Sequence, residues 1–256
     1  MEELMPRFFI RQDQIDGNTL TLVGEDAHHA ARSLRMAVGD GVTVCDMQGN
    51  EYECRITGFN DDARVFCDII SAKSSDTEPP IRITLFQALS KGDKLDTVIQ
   101  KAVECGAAKI VPFESERCVV KCKADAEERK TERRRRIAAE AAKQCGRSIL
   151  PEVTPTVNFN TALEMAKESE IVLFCYEGDG TEPLGRILQK NLIRKEDGGY
   201  PSVALIVGSE GGFSLDEAKR ASIGGALMCG LGKRILRTET APIFALSCLI
   251  YATELS

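Results

Sequence analysis

Long apolar runs, a secretory leader and clustered metal ligands are all missing from this sequence of 256 residues. No segment approaches the roughly 18 to 20 consecutive apolar residues that a membrane span needs, and the N-terminus lacks the apolar core of a signal peptide. We therefore expect a cytoplasmic protein that does not enter a membrane. Its 43% hydrophobic and 28% charged residues are typical of a globular protein of one large or two modest domains.

Metal binding is disfavoured for a related reason. Ten cysteines are present, but no two of them form a C-x-x-C pair, and the only two histidines are the adjacent His28 and His29. Structural zinc sites need ligands clustered at short spacings. Several cysteines lie inside apolar segments, where a free thiol behaves as a small hydrophobic group. We predict reduced cysteines and no metal.

The net charge of −6 argues against bulk binding of nucleic acid, but basic residues are concentrated locally. A helix predicted over residues 127–146 is strongly basic, and one stripe of it holds five cations and a single carboxylate. The stripe consists of Arg129, Arg133, Arg136, Glu140, Lys143 and Arg147. A solvated helix face usually mixes charges of both signs, so this stripe favours contact with an RNA backbone, with a solvated face as the alternative.

Two regions with different patterns follow each other along the chain. Short strands separated by turn signals occupy residues 1–72 and predict a small β-barrel with one helix at 26–36. Residues 73–80 are small and polar and end in two prolines, which indicates a linker. From 81 to 256, apolar strands alternate with amphipathic helices, which predicts an α/β domain with a largely parallel sheet.

Two glycine-containing turns stand at strand ends, where parallel α/β sheets bind ligands. The first turn, Gly208–Phe213, precedes a helix that opens with the capping box Ser214–Glu217. In the second, Leu231–Ala241, we expect Thr238 or Thr240 to cap the final helix. Together the turns can form a pocket of backbone groups for a small ligand such as an adenine ring. The first turn matches neither the dinucleotide fingerprint nor the phosphate-binding P-loop.

A cation, a carboxylate and two hydroxyls stand together before the final helix, in the order Arg237-Thr238-Glu239-Thr240. A helix cap requires neither Arg237 nor Glu239. We therefore interpret both as residues of a functional site.

Several motifs together resemble the RsmE family of 16S ribosomal RNA uracil-N3 methyltransferases, which belongs to the SPOUT (α/β-knot) superfamily. The resemblance runs nearly from end to end and is most specific in the two turns. The motifs are Met5–Phe9, His28–His29, Gln87–Lys94, Gln100–Gly106, Glu140–Arg147, Gly208–Phe213 and Leu231–Ala241. This chain departs from the family at Ser209, where the family usually has proline.

The resemblance implies an N-terminal PUA-like barrel that helps to hold RNA and a C-terminal trefoil-knotted domain that binds S-adenosylmethionine. It also implies a homodimer that acts on 16S rRNA, within the small ribosomal subunit. The implied reaction is methylation of N3 of a specific uridine, whose base must be unpaired or extruded for N3 to be reached.

The resemblance also suggests roles for individual residues. Arg237 would position the substrate or stabilise the developing uracil anion, and Glu239 would accept or orient a proton, or anchor the cofactor site. The cofactor candidates are Phe174, Tyr176, Gly208, Ser209, Glu210, Gly211, Leu231, Gly232, Ile235, Leu236, Thr238, Thr240 and Ala241. The candidates for RNA contact, chosen for charge and position, are Arg7, Arg11, His29, Arg32, Arg35, Lys91, Lys94, Arg133, Arg136 and Arg147.

Three other functions stay open at this point. The first is a SPOUT methyltransferase acting on another rRNA nucleotide or on tRNA. The second is a non-catalytic RNA-binding factor for ribosome assembly. The third is a nucleotide-dependent metabolic enzyme of Rossmann type, which the lack of a phosphate-binding fingerprint disfavours.

Overall fold

The computed structural model describes residues 5–60, 64–122 and 124–255. The chain divides into two units. The first unit comprises the described residues up to Glu78 together with Ala142–Leu150, and the second comprises Pro79–Ala141 and the residues from Pro151 onward. Within the described residues, no helix has both the length and the apolar character needed to cross a bilayer.

The first unit contains one sheet, built from short and long strands that alternate between inward and outward side chains. Its strands in the described residues are β1 (Arg7–Phe9), β2 (Ile15–Asp16), β3 (Thr19–Leu22), β4 (Gly41–Cys45), β5 (Asn50–Asn60) and β6 (Arg64–Ser74). They lie in the order β1-β4-β5-β6-β3-β2, and only the β1–β4 pair is parallel. Every second residue points inward, so Phe8, Leu20, Leu22, Val44 and Ile56 share one buried core.

Two elements of this unit differ from the sequence prediction. The predicted helix at 26–36 is instead a short α1 (Gly24–His28) followed by a single π-helical turn at His29–Ser33. The last strand of this unit, β6, continues past the boundary predicted at residue 72 to Ser74, because Asn50–Glu53 of β5 supply pairing partners for it. The first residues of the predicted linker therefore belong to β6. Small polar residues are compatible with that exposed end of the strand.

A buried ion pair fixes the return of the chain to the first unit at residues 142–150. Arg147 is only 4% exposed, and its Nη2 lies 2.6 Å from Glu78 Oε2. Glu78 Oε1 also accepts hydrogen bonds from the backbone N–H groups of Ser148 (3.0 Å) and Ile149 (3.1 Å). A buried guanidinium needs such a compensating partner.

The second unit is an α/β layer structure around one parallel sheet. Its strands in the described residues are β7 (Ile83–Ala88), β8 (Lys109–Glu114), β9 (Glu152–Val153), β10 (Val157–Asn158), β11 (Ile171–Cys175), β12 (Glu182–Pro183), β13 (Val203–Val207) and β14 (Leu227–Gly230). The order is β10-β8-β7-β13-β11-β14-β12, with β9 paired to β8. Every pair is parallel, which confirms the predicted sheet type.

Helices connect these strands. They are α2 (Lys94–Glu104), α3 (Ala124–Cys145), α4 (Phe159–Ala166), α5 (Leu184–Asn191), α6 (Leu215–Ile223) and α7 (Thr240–Glu254). The central strand β13 is buried at every position, as expected for a strand covered on both faces. The predicted capping box of α6 is confirmed: Glu217 N donates to Ser214 Oγ (3.2 Å), and Ser214 N donates to Glu217 Oε2 (2.9 Å).

Candidate active site

A cavity of about 820 Å³ opens at the carboxyl ends of β11, β13 and β14. This is the edge at which open parallel sheets bind ligands, and the volume is within the usual range for small-molecule sites. The walls are formed by the segment after β11, the first turn after β13 and the second turn after β14. Lys94 and Arg117 reach the cavity from elements outside these segments.

The first turn is tight and packs closely against the core. Gly212 N donates to Ser209 O (2.9 Å), and Gly212 has a φ of +64°, in the left-handed region that favours glycine. A Cβ on Gly208 would lie 3.1 Å from the ring of Phe213, so a larger residue there would force the ring or the turn to shift. The Phe213 ring packs against Phe174, with 4.2 Å between centroids, and this contact fixes the end of the turn in the core.

The second turn, Leu231–Glu239, is joined to the first by a buried polar network. Thr238 Oγ1 donates to Gly208 O (2.7 Å). The fully buried Gln87, at the end of β7, donates through Nε2 to Thr238 Oγ1 (3.2 Å) and to Gly208 O (3.4 Å). The predicted threonine cap is therefore wrong: Glu239 occupies the N-cap position of α7 without a side-chain cap, because Thr238 bonds across to the other turn.

An ion-pair network joins the same two turns at the surface. Lys94 Nζ lies 3.0 Å from Glu210 Oε1 of the first turn and 3.4 Å from Glu239 Oε2 of the second. Lys91 N also donates to Glu210 Oε1 (3.2 Å). The hydrogen bond to Glu210 raises the pKa of Lys94. Burial raises the pKa of Glu210, but the hydrogen bonds from Lys94 and from backbone N–H groups outweigh it and lower that pKa overall.

A third segment, after β8, presses against the first turn. Arg117 Nη1 donates to Gly211 O (3.3 Å), and a Cβ on Gly211 would lie 3.0 Å from Arg117 Cβ. The backbone of this segment is held by Glu116 N, which donates to the buried Glu217 Oε1 (2.8 Å). Arg117 is not among the cofactor residues predicted from the sequence, although it lines the cavity. No local signal could have shown it, because the contact depends on sheet order.

The predicted cofactor residues converge on this cavity. All of them line it except Phe174 and Thr240. Phe174 is fully buried behind the wall, and Thr240 begins α7. Of the predicted catalytic pair, Arg237 lines the cavity, whereas Glu239 stands behind it and faces Lys94.

The mouth of the cavity is positively charged. Five cations line it. Lys94 is paired with Glu210 and Glu239, whereas no ion pair within the described residues involves the other four, which are Arg117, Lys233, Arg234 and Arg237. Glu177 is an exposed anion on the same rim. On a chain with net charge −6, this is a local field that favours an anionic ligand.

Four of the predicted RNA-contact residues in the first unit are accessible: Arg11, Arg32 and Arg35 are exposed, and His29 is half-buried. Arg11 pairs with Asp13 (3.1 Å). Arg7 is different, because its guanidinium lies 2.7 Å from Glu51 in a largely buried ion pair. Arg147 is likewise buried and paired, with Glu78. These structural ion pairs disfavour the predicted contacts of Arg7 and Arg147 with RNA.

The predicted basic stripe lies on α3, which begins slightly earlier and ends at Cys145. Arg129 and Arg136 are exposed, and Arg133 is exposed but forms an ion pair with Asp96. Arg134, predicted only as one of the basic residues of this helix, is buried and pairs with Glu127 (3.0 Å). Among the remaining candidates, Lys91 is exposed and Lys94 is engaged as described above.

The cysteines are all free thiols. Cys175 and Cys229 face each other on β11 and β14 with their sulfurs 3.6 Å apart. The hydrogen bond from Cys229, together with burial, raises the pKa of the Cys175 thiol, which disfavours reactivity. Within the described residues, no three His, Cys, Asp or Glu side chains are grouped so that they could hold a metal ion.

The chain is similar to known RNA methyltransferases in sequence and in structure. A family model described as RNA methyltransferase domain matches residues 77–250, and one described as RNA methyltransferase PUA domain matches residues 22–70. Ribosomal RNA small subunit methyltransferase E of Bacillus subtilis is 35% identical over 254 residues, which cover 98% of each chain. The protein of the same name from Synechocystis is 32% identical over 242 residues, covering 94% of this chain and 76% of its own.

Two similar crystal structures contain a ligand. A methyltransferase from Legionella pneumophila, in complex with the bound cofactor SAM, has a TM-score of 0.83 and 33% identity, covering 97% of this chain and 98% of its own. A ribosomal RNA small subunit methyltransferase E from Neisseria gonorrhoeae, bound to S-adenosyl methionine, has a TM-score of 0.82 and 31% identity, covering 96% and 97%.

Proposed function

The chain belongs to the RsmE family of ribosomal RNA small subunit methyltransferases, and we propose that it transfers a methyl group from S-adenosylmethionine to N3 of a specific uridine in 16S rRNA. The observation that carries this proposal is the cavity between the two turns, on which nearly all predicted cofactor residues converge. Relatives of similar sequence and fold hold S-adenosylmethionine. The substrate is 16S rRNA, which we place within the small ribosomal subunit.

The chain's own residues fit the cofactor. Gly208 and Gly211 lack a Cβ, so Phe213 and Arg117 can pack tightly against the first turn. The backbone of this turn lines the cavity, where its N–H and C=O groups can meet the edge of an adenine ring. Tyr176, Leu231 and Leu236 supply apolar wall. The buried Ser209 Oγ has no hydrogen-bond partner among the described residues, as expected for a group that a ligand completes. The cofactor, when bound, supplies a methyl group already activated on a sulfonium sulfur.

Arg237 and Glu239 have different roles in this proposal. N3 must lose its proton before it can be methylated, so negative charge develops on the uracil. That charge is consumed as N3 bonds to the methyl carbon and the bond from this carbon to sulfur breaks. Arg237, a rim cation with no ion-pair partner in the described chain, can stabilise that charge and orient the base. Glu239 faces Lys94 rather than the cavity, so its placement favours an orienting role over direct removal of the proton.

RNA would reach the site over two positive surfaces. The rim cations are one, and the exposed Arg129 and Arg136 of α3 are the other. In the first unit, Arg32 and Arg35 are exposed and available for phosphate, whereas the exposed Arg11 is paired with Asp13. Arg and Lys contacts to phosphate position a nucleic acid without reading its sequence.

We further propose a homodimer that uses one face of α7. Phe244, Tyr251 and Leu255 are 41%, 63% and 70% exposed, and with Cys248 they follow helical spacing along one side. A contiguous exposed apolar stripe of this kind is typical of an interface. The SPOUT resemblance also implies that the C-terminal domain carries a trefoil knot.

The test is a calorimetric titration with S-adenosylmethionine, with NAD as a control, followed by methylation of 16S rRNA, free or in small subunits. We expect saturable binding of S-adenosylmethionine near one per chain and transfer that Arg237→Ala reduces by about a hundredfold without loss of fold. Transfer to tRNA in preference to 16S rRNA would favour another SPOUT activity. A chain that binds RNA but does not bind S-adenosylmethionine would instead be a non-catalytic assembly factor.

A further inference from the structure

Lys94 stands at an unfavourable place for a lysine. It is the first residue of α2, and its neighbour Asp93 at the N-cap makes no capping hydrogen bond through its side chain. A helix N-terminus carries partial positive charge, so a cation there lowers the stability of the helix. The benefit of Lys94 must therefore come from groups outside α2.

Those groups are two carboxylates from the two turns of the proposed cofactor site. Glu210 lies in the middle of the first turn, and Glu239 ends the second turn directly after Arg237 and Thr238. A single ammonium lies within 3.4 Å of both. We call this arrangement of Lys94, Glu210 and Glu239 the lysine bridge.

The lysine bridge is the surface counterpart of the buried Gln87–Thr238–Gly208 network. Glu239 Oε2 is itself buried and has no hydrogen-bond partner among the described residues, so the nearby Lys94 ammonium is the group that compensates its charge. Without Lys94, two carboxylates would face each other near one point. Their repulsion would push the second turn, and with it Arg237, away from the first turn.

We propose that Lys94 is a positioning residue for methyl transfer, which holds the turn that binds the cofactor and the turn that carries Arg237 in a fixed relation. This inference rests on the proposed function and assigns to Lys94 a role other than contact with RNA. Small displacements of a reacting group cost large factors in rate, so the contribution of Lys94 lies mainly in kcat.

The experiment compares three single variants with the wild-type chain. Lys94→Gln removes the ammonium, Lys94→Arg keeps a cation that can reach two carboxylates, and Lys101→Gln removes a surface ion pair with Glu104 on the same helix. We expect Lys94→Gln to lower kcat by about tenfold to a hundredfold and Lys94→Arg to restore much of it. Lys101→Gln should leave kcat unchanged. In Lys94→Gln the affinity for RNA should fall far less than kcat does.

A second measurement separates positioning from general stability. With Lys94 present, the effects of Glu210→Gln and Glu239→Gln on kcat should not be independent, because both act through one ammonium. In the Lys94→Gln background, either substitution should instead relieve the repulsion between the two carboxylates and raise kcat. Independent effects in the wild-type background, or a kcat for Lys94→Gln within about twofold of wild type, would overturn the proposal.

The same experiment distinguishes this inference from the proposed function. A wild-type chain that neither binds S-adenosylmethionine nor methylates rRNA would contradict the proposed function. The lysine bridge would then be tested by the same set of variants in urea unfolding. Coupled shifts of the unfolding midpoint would support it, and independent shifts would overturn it.

Discussion

Replacing Glu127 with glutamine should destabilise the second unit strongly, although Glu127 is outside the cavity. Its side chain is 13% exposed and lies at the start of α3. Glu127 Oε1 accepts hydrogen bonds from Thr156 N (2.7 Å), Arg134 Nη1 (3.0 Å) and Thr131 Oγ1 (3.2 Å), and Oε2 accepts one from Cys122 Sγ (3.1 Å). Loss of the charge would leave the buried Arg134 guanidinium without its counter-ion.

The magnitude follows from the pKa of Glu127. Burial alone would raise this pKa, but hydrogen bonds from Thr156 and Cys122 and the charge of Arg134 lower it from 4.5 to about 2. Each pH unit of that difference corresponds to about 1.4 kcal/mol, so the ionised carboxylate stabilises the fold by about 3 kcal/mol. Because the folded-state pKa is lowered, the stabilisation is complete above pH 4.5 and is lost as the pH falls toward 2. It should be roughly 1–1.5 kcal/mol at pH 3.

Urea unfolding at pH 7 and pH 3 measures this prediction. Glu127→Gln should lower the free energy of unfolding by about 3 kcal/mol at pH 7 and by clearly less at pH 3. Glu132→Gln, an exposed position on the same helix, is the matched control and should have little effect at either pH. A loss for Glu127→Gln below about 1 kcal/mol at pH 7, or one that grows as the pH falls, would refute the reasoning.

Three further changes test other parts of the molecule. Gly211→Ala places a Cβ 3.0 Å from Arg117 Cβ and 3.1 Å from its carbonyl, so calorimetry should show about tenfold weaker binding of S-adenosylmethionine; unchanged affinity would mean that the turn yields freely. The double substitution Arg129→Glu and Arg136→Glu should weaken RNA binding and flatten its dependence on salt. A salt slope equal to that of the wild type would mean that this face of α3 is only solvated and does not contact RNA. Tyr251→Asp should shift sedimentation from dimer to monomer, and an intact dimer would exclude the α7 face as the interface.

The parts of the site that the sequence predicts are those with local signals. The first turn follows an apolar strand and contains glycines where a Cβ would crowd neighbouring atoms. It is followed by a capping box, which two residues three positions apart form. The second turn is recognisable from the order of Arg237, Thr238 and Glu239, although the role of Thr238 is not. A threonine before a helix usually caps it. Here Thr238 bonds to Gly208, thirty residues earlier in the chain, and nothing within one segment indicates that choice.

Charge was the least reliable guide, for a physical reason. Counting cations along a helix assumes that each one faces solvent, but ion pairs form between residues far apart in sequence. Arg147 pairs with Glu78 and Arg7 with Glu51, and both pairs are largely buried. Lys94 finds both of its partners more than a hundred residues away. Composition cannot show which cations remain available for RNA.

The four rim cations that have no ion-pair partner among the described residues explain how an acidic chain can bind RNA selectively at the cavity mouth. A net charge of −6 repels a polyanion over most of the surface, so approach is favourable only where positive charge is concentrated. Glu210 and Glu239 lie next to that place and would cancel part of its field, but Lys94 compensates both.

The lysine bridge therefore has an electrostatic consequence besides its mechanical one. Removing the ammonium would lower the positive charge near the cavity mouth by one and leave two uncompensated carboxylates near the position at which charge develops on the uracil. Lys94→Gln would thus weaken transfer even if the turns did not move. Salt screens exposed charges, so an increase in the kcat of this variant on raising the salt concentration would identify the electrostatic part of the effect.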